Sequence, residues 1–175
     1  MVARILTGKS IRGLLNYNES KVENGSAELI LAHRFGLDIE TLRLRHKVAR
    51  FEHLTKLNSR VKTNAIHIML NFDPSEKLEV NKLQCIAGEY MDGIGLGGQP
   101  YLVYQHYDAG HPHIHIVTTN INADGSRLNL HNVGKTLSEK VRKKIEIEFA
   151  LVKAEEMGVK NVLELHPADM QKASY

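Results

Sequence analysis

The sequence is poor in the features that mark secreted, membrane-spanning or disulfide-stabilised proteins. It has one cysteine, Cys85, so no internal disulfide can form. It has no apolar run of the length that crosses a bilayer, and residues 1–20 lack the apolar core of a signal peptide. It also has no internal repeat and no low-complexity tract. These absences predict a protein of the reducing cytoplasm with no membrane partner.

Two short motifs resemble nucleotide-binding loops but have the wrong context. The stretch "GIGLGG" has the spacing of a dinucleotide fingerprint, yet it follows a predicted helix and precedes a predicted strand. A dinucleotide site needs the reverse order, because a helix N-terminus must meet the pyrophosphate. The stretch "GKS" at residues 8–10 resembles the end of a phosphate-binding loop, but Ala3 stands where that motif requires glycine. We therefore predict no nucleotide cofactor.

The composition is that of an ordinary globular domain. Hydrophobic residues make up 42% and charged residues 25% of the 175 residues. This length is sufficient for one hydrophobic core and too short for two comfortable domains. We expect a single domain that spans residues 1–175.

Hydrophobic periodicity predicts an α/β (α+β) fold. Apolar and polar residues alternate in "NAIHIMLNF" and "HIHIVTTN", as expected for half-buried strands. Further strands are predicted at "VARILT" and "YLVYQH", and "SAELILAHR" is a strand or another buried segment. Helical spacing appears in four segments, which are residues 10–17 with Ser10 as N-cap, 38–58, 75–92 and 137–152.

The positive charge is concentrated in one predicted helix. Between Thr41 and Lys62 there are seven Lys or Arg residues and a single acid, Glu52. The apolar residues of this stretch recur at helical spacing, which leaves the basic side chains largely on the other faces. The helix is either a solvated surface or a surface for nucleic-acid phosphates. The candidate phosphate contacts are Arg43, Arg45, Lys47 and Arg50, followed by Lys56, Arg60 and Lys62.

Four of the ten histidines lie in "QHYDAGHPHIHIVTTN". We predict that two strands form a hairpin here, in a register that pairs His106 with His113. The same register places His115 opposite Tyr104, and directly opposed residues share a face of the sheet. Three imidazoles would then converge on one point, which suits a divalent metal and leaves coordination positions open for a substrate. The alternatives are a metal that only staples the hairpin, or histidines solvated on a sheet surface.

The segment "HYDAGHPHIHIVTTN" resembles the third motif of conjugative and mobilisation relaxases, which belong to the HUH endonuclease superfamily. The N-terminal "MVARILTGKSIRGLLNYNESK" resembles their first motif, a strand, a turn and a short helix that ends in a tyrosine, here Tyr17. Between them, "RVKTNAIHIMLNFDPSEKL" is similar to the second motif. The resemblance covers roughly residues 1–122.

The resemblance implies a relaxase-like fold, a central antiparallel sheet with helices on one face and the active site on the other. It implies that the Tyr17 hydroxyl attacks a phosphodiester at an origin of transfer and leaves a 5′-phosphotyrosine and a free 3′-hydroxyl. It implies a divalent metal on His106, His113 and His115, with Mn²⁺ or Mg²⁺ in first place and Zn²⁺, Ni²⁺ or Co²⁺ as alternatives. DNA and accessory mobilisation proteins are the expected partners. Such proteins extend well beyond 175 residues, so we expect a further C-terminal region.

Other polar residues near these motifs have alternative roles. Asp108 either has a catalytic role, in which it orients one imidazole or helps to take the tyrosine proton, or simply caps the turn. His67 borders the site or is a satisfied interior histidine, and we place His111 in the loop. The roles of Asn71 and Ser75 in the second motif stay unassigned.

The position of the nucleophile separates the branches of the superfamily. Replication initiators and single-strand transposases of the HUH type carry their tyrosine on a helix after the histidine motif, where this chain has only Tyr175. We predict that the remaining tyrosines pack in strands and helices; these are Tyr90, Tyr101, Tyr104 and Tyr107. Two further alternatives are a metal-dependent hydrolase of a small substrate and a DNA-binding module whose histidine cluster is only structural.

Overall fold

Five strands form one antiparallel sheet in the computed structural model, which describes residues 1–156. The strands are β1 (Val2–Gly8), β2 (Ala27–His33), β3 (Ala65–Asn71), β4 (Tyr101–His106) and β5 (His113–Thr119). Their order across the sheet is β1-β3-β5-β4-β2, so β5 is central and lies between β3 and β4. The predicted α+β fold with a central antiparallel sheet is confirmed.

Four helices accompany the sheet in the described part of the chain. The first and the last begin within one residue of their predicted starts, and the second and third begin about five residues after theirs. The helices are α1 (Ile11–Glu23), α2 (Leu44–Lys56), α3 (Val80–Gly93) and α4 (Leu137–Glu148). The longest, α3, has 14 residues. Among residues 1–156, no helix combines the length and the apolarity that a membrane span needs.

The α3–α4 face of the sheet is mainly apolar at its centre. Alternate residues of the central strands, such as Ile68 and Ile116, point to this face and are fully buried. They pack against Leu83 and Ile86 of α3 and Ile145 of α4 in one hydrophobic cluster. Burial of these side chains supplies the main driving force for folding.

The opposite face is divided into a polar end and an apolar end. On β5, His113 and His115 come first, and Val117 follows on the same face. Val117 belongs to a second hydrophobic cluster with Leu15 of α1 and Phe51 of α2. The structure therefore adds two helices to the face on which the resemblance places the active site, because the apolar end of that face also needs cover.

The basic helix is shorter in the structure than the range of residues 38–58 that its hydrophobic periodicity predicts. Residues Ile39–Thr41 form one turn of 3₁₀ helix, and Arg43 has an extended backbone before α2 begins at Leu44. The helix predicted over residues 75–92 likewise begins late, at Val80. An Asx turn precedes it, in which the Asp73 carboxylate accepts a hydrogen bond from the Ser75 backbone N–H over 3.0 Å.

The last helix also stops short of its periodic pattern. Ala150 has a φ of 51°, a left-handed conformation that ends a helix. The N–H of Leu151 donates to the carbonyl of Glu146 over 2.8 Å, which closes the C-terminus. Val152 therefore lies beyond α4, although its spacing fits the helix. Residues 157–175 of the expected domain, including Tyr175, lie outside the described residues.

Candidate active site

Strands β4 and β5 pair in the register that the sequence predicts. His106 lies opposite His113, and Tyr104 lies opposite His115. The three imidazoles accordingly share a face, and each offers a ring nitrogen within 4.8 Å of the others. The ring centroids of His106 and His115 are 3.8 Å apart, and those of His113 and His115 are 5.3 Å apart. These three histidines could hold a divalent metal.

The histidine cluster is buried although its neighbours include polar and charged side chains. His106, His113 and His115 are 2%, 5% and 5% exposed. Burial, followed by the charge of His113, lowers the pKa of His106 to about 4. Burial also lowers the pKa of His115 well below its usual value. Both rings are therefore neutral at pH 7, which is the form that binds a metal.

Unpartnered nitrogens in the cluster also fit a metal. Among residues 1–156, Nδ1 of His106 and Nδ1 of His115 have no hydrogen-bond partner, although both atoms are buried. His113 differs, because its Nδ1 donates to the carbonyl of His111 over 3.1 Å and its Nε2 remains for a ligand. A buried polar atom without a partner is costly and calls for a bound group. Imidazole nitrogen is a good ligand for the first-row divalent metals.

Helix α1 brings Tyr17 to the same cluster. The side chain of Ser10 caps this helix and accepts a hydrogen bond from the N–H of Gly13, as predicted. The Tyr17 ring centroid lies 6.4 Å from that of His106 and 6.3 Å from that of His115. The tyrosine ring is within 22° of parallel to both imidazoles. The structure thus unites the first and third sequence motifs in one site.

Lys21 is a cation of this site that none of the sequence motifs identified. Its Nζ lies 5.9 Å from the Tyr17 ring centroid and 2.7 Å from the Asp108 carboxylate. Tyr17 and Lys21 are four residues apart on α1 and therefore share a face of the helix. That spacing is visible in "YNESK" and is the signal that could have identified Lys21.

The Asp108 carboxylate faces the imidazoles and Lys21. One of its oxygens lies 3.4 Å from Nε2 of His113 and 3.7 Å from Nδ1 of His106. The close contact with the His113 ring, together with the hydrogen bond from Lys21, holds the pKa of Asp108 well below its usual value. An ionised carboxylate at this position favours the orienting role over a simple turn cap.

His67 borders the site and is not a satisfied interior histidine. Its ring centroid lies 4.7 Å from that of His115 and 6.3 Å from that of Tyr17. The side chain is buried, and neither ring nitrogen has a hydrogen-bond partner in the described part of the chain. Burial, followed by the charge of His106, lowers the pKa of His67 to about 3.

The remaining second-motif residues divide between the site and the surface. Asn71 is buried on β3 opposite His113, and its Oδ1 lies 3.0 Å from Nε2 of His111. This contact ties the predicted loop histidine to the sheet. Ser75 is exposed, and its hydroxyl donates to Asp73 over 2.7 Å in the turn that follows β3. The geometry thus links Asn71, and not Ser75, to the histidine motif.

Of the first four candidate phosphate contacts on the basic segment, Arg43, Arg45 and Arg50 keep access to solvent. Arg43 and Arg45 are exposed at the start of α2. Arg50 is half-buried, and its Nε donates to the carbonyl of Arg34 over 3.2 Å. The prediction for Lys47 is wrong, because this residue is 3% exposed and its Nζ lies 2.6 Å from the Glu19 carboxylate. Lys47 therefore joins α2 to α1 in an internal ion pair.

The prediction that four tyrosines pack internally holds for three of them. Tyr90, Tyr101 and Tyr104 are buried. Tyr104 donates its hydroxyl to Glu19 over 2.6 Å, in the same network as Lys47. The prediction for Tyr107 is wrong, because this ring is 53% exposed in the loop between the ligand strands. The strand ends at His106, so Tyr107 has no neighbouring strand to cover it.

Residues 17–151 match the model of a family described as relaxase, MobA/VirD2-like, nuclease domain. The matched segment begins at Tyr17 and contains the three histidines of the cluster and Asp108. It covers well over half of the 175-residue chain. No curated protein matches the chain. The family match and the geometry of the site thus concern the same residues.

Proposed function

The chain belongs to the MobA/VirD2-like relaxase family, whose nuclease domain nicks DNA for mobilisation, and we propose that Tyr17 is its nucleophile. The proposed reaction is nicking and rejoining of a single DNA strand at an origin of transfer. The observation that carries the proposal is the near-parallel Tyr17 ring 6.3 to 6.4 Å from two imidazoles of a buried three-histidine cluster. This arrangement supports a reacting phosphate between the phenol and the cluster.

The bonds balance as a transesterification. The Tyr17 oxygen forms a bond to phosphorus, and the bond between phosphorus and the 3′-oxygen breaks. The phenol loses its proton, and the released 3′-oxygen gains one. The 5′-phosphotyrosine ester keeps the energy of the broken bond, so attack by a 3′-hydroxyl rejoins the strand without ATP. Rejoining therefore requires no nucleotide cofactor.

The site has two means of handling negative charge. A phenol with a pKa of about 10 is only ~0.1% ionised at pH 7, so the phenolate needs stabilisation. The Lys21 ammonium lies 5.9 Å from the Tyr17 ring centroid and supplies a positive charge beside the phenol. A divalent metal on His106, His113 and His115 would stabilise the charge that develops on the phosphate.

Mn²⁺ and Mg²⁺ are the metals that we propose, with Zn²⁺, Ni²⁺ and Co²⁺ as alternatives. Three imidazole nitrogens suit the first-row transition metals better than Mg²⁺, which prefers oxygen ligands. Asp108 places a carboxylate oxygen within 3.7 Å of two of these nitrogens and so adds an oxygen donor to the site. We assign Asp108 a positioning role, because Lys21 and two imidazoles are its contacts.

The substrate DNA is proposed to run from the cluster toward the start of α2. Glu19, two residues after Tyr17, contacts Lys47 in the first turns of α2. The exposed Arg43 and Arg45 therefore lie near the end of α2 that is closest to the site. Their charges suit phosphates of the flanking DNA. Accessory mobilisation proteins are the further proposed partners.

Covalent capture tests the proposed nucleophile. A single-stranded oligonucleotide from the origin of transfer of the element that encodes this chain should form an adduct that survives denaturation. Tyr17→Phe should abolish this adduct and leave DNA binding within about twofold, because only one oxygen is lost. The matched control is Tyr107→Phe, which removes the hydroxyl of an exposed tyrosine beside His106. An adduct that persists in Tyr17→Phe would contradict the proposal.

A further inference from the structure

Asn18 is a buried amide on α1, directly after Tyr17, and it contacts a histidine of the cluster. Its side chain is 0% exposed. Nδ2 donates to the carbonyl of Leu14 over 3.0 Å, and Oδ1 lies 3.0 Å from Nε2 of His106. The bond to Leu14 fixes which way the amide points, because the reversed amide would set two oxygens against each other.

The amide orientation determines where His106 carries its proton. An amide oxygen can only accept a hydrogen bond, so Nε2 of His106 must be the N–H of the ring. A neutral imidazole has one N–H, so the lone pair of His106 is on Nδ1. Nδ1 is the buried nitrogen that has no hydrogen-bond partner within residues 1–156, and it faces Asp108. This nitrogen is free to bind a metal.

His113 directs Nε2, instead of Nδ1, toward the point where the three histidines would bind a metal. Its Nδ1 donates to the His111 carbonyl over 3.1 Å, which leaves the lone pair on Nε2. The ligand nitrogens of two directly opposed residues thus differ, Nδ1 on His106 and Nε2 on His113. Both nitrogens face the same oxygen of Asp108. Two separate partners, an amide from α1 and a backbone carbonyl of the loop, set the two tautomers.

We propose that Asn18 is a positioning residue that holds His106 in the tautomer whose Nδ1 binds the metal. The helix that carries the nucleophile then also sets the metal-binding form of the histidine hairpin. Docking of α1 brings Tyr17 and the Asn18 amide to the cluster together, so correct placement of the nucleophile and metal affinity are coupled. The assignment of the metal rests on the proposed function, whereas the tautomer rests on the hydrogen bonds alone.

The tautomer is directly measurable in metal-free protein. Long-range ¹H–¹⁵N spectra of protein labelled in histidine distinguish the protonated ring nitrogen from the unprotonated one, and loss of one signal set in His106→Gln assigns the ring. In the wild type, His106 should carry its proton on Nε2. Protonation on Nδ1 in the wild type would overturn the proposal, and this result needs no Asn18 variant to fold.

Three variants separate the amide oxygen from other effects. Asn18→Leu keeps the size and removes the acceptor, so the His106 tautomers should become mixed. Asn18→Asp loses the donor to the Leu14 carbonyl but keeps an oxygen that accepts from Nε2, so the His106 proton should stay on Nε2. Asn16→Leu is the matched control, because Asn16 is an exposed asparagine on the same helix. An Asn18→Leu protein that retains the wild-type tautomer would contradict the positioning role.

Metal affinity gives the second measurement. Titration of Mn²⁺ alone into each protein should show binding about 10- to 100-fold weaker in Asn18→Leu, the usual effect of losing a group that orients a ligand. Asn16→Leu should stay within about threefold of the wild type, and Asn18→Asp should not show the loss seen in Asn18→Leu. Equal affinity in Asn18→Leu and Asn16→Leu would overturn the proposal. Failure of the nicking chemistry appears separately, as a missing DNA adduct in a wild type that still binds Mn²⁺.

Discussion

Neighbouring residues of β3 point to opposite faces of the sheet, one of which is apolar and the other polar. Ile68 points to the α3–α4 face and is fully buried among other apolar side chains. His67 points to the other face and is also buried, yet both of its ring nitrogens lack hydrogen-bond partners within residues 1–156. One face contributes stability through apolar burial, and the other retains polar atoms that are costly to bury. The contrast indicates that the histidine face serves binding at some expense of stability.

The largest expected effect on stability is on the apolar face. Ile68→Ala should lower the free energy of unfolding by about 2 to 5 kcal/mol, because it removes buried methyl groups and leaves a cavity between β3 and the helices. Denaturant unfolding measures this change. A loss below about 1 kcal/mol would show that this face is loosely packed and would contradict its assignment as the main source of stability.

Acid should destabilise the protein through His67, which lies on the histidine face of β3. The folded protein resists protonation of His67, whose pKa is lowered to about 3, whereas the unfolded chain protonates this histidine near pH 6.5. Below pH 6.5 the unfolded state therefore binds more protons, and the stability from His67 is lost as the pH falls. Between pH 6 and pH 4, His67→Leu should reduce the slope of unfolding free energy against pH by about 1.4 kcal/mol per pH unit. Equal slopes in both proteins would show that His67 is not held neutral.

At neutral pH the same His67→Leu substitution should cost little. Leucine fills a similar volume and removes two buried nitrogens without partners, so the free energy of unfolding should stay level or rise by about 1 kcal/mol. Thermal unfolding of metal-free protein at pH 7.5 measures this effect. A loss of 2 kcal/mol or more would place His67 with the structural core and remove the contrast between the two faces.

The smallest expected effect concerns the exposed charges of α2. Replacing Arg43 and Arg45 together with alanine should lower the slope of log affinity against log salt by about 0.7 to 0.9 for each DNA phosphate that the protein no longer neutralises. Replacing Lys140 and Lys144 removes the same charge from exposed positions on α4, across the sheet, and should leave the slope unchanged. Equal slopes for the two double variants would assign Arg43 and Arg45 to solvent.

The β4–β5 hairpin could be predicted from the sequence because the residues that determine it lie close together along the chain. His106 and His113 are seven residues apart, and alternation along two short strands sets both their faces and their register. Tyr17 and its helix were accessible in the same way, through the Ser10 cap and the resemblance of the first motif. Each of these features depends on neighbours in the chain.

The contacts that the sequence did not reveal join distant elements. The Lys47 charge looked available for DNA, but docking of α2 on α1 buries it against Glu19. Lys21 meets Asp108 across 87 positions of sequence, a pairing that exists only once α1 lies on the sheet. The hydrogen bond between Asn18 and His106 arises from the same docking. Side-chain periodicity predicts the face of a helix on which such a residue lies, but it does not predict which other element that face contacts.

Peptide mapping of the trapped adduct tests whether α1 presents Tyr17 to the histidine cluster for attack on DNA. Trypsin cuts after Arg12 and Lys21, so Tyr17 lies in the peptide "GLLNYNESK". Mass spectrometry should find the nucleotide mass on this peptide and assign it to the tyrosine. Nucleotide mass on the C-terminal peptide with Tyr175, or on the peptide with Tyr104, would contradict the account.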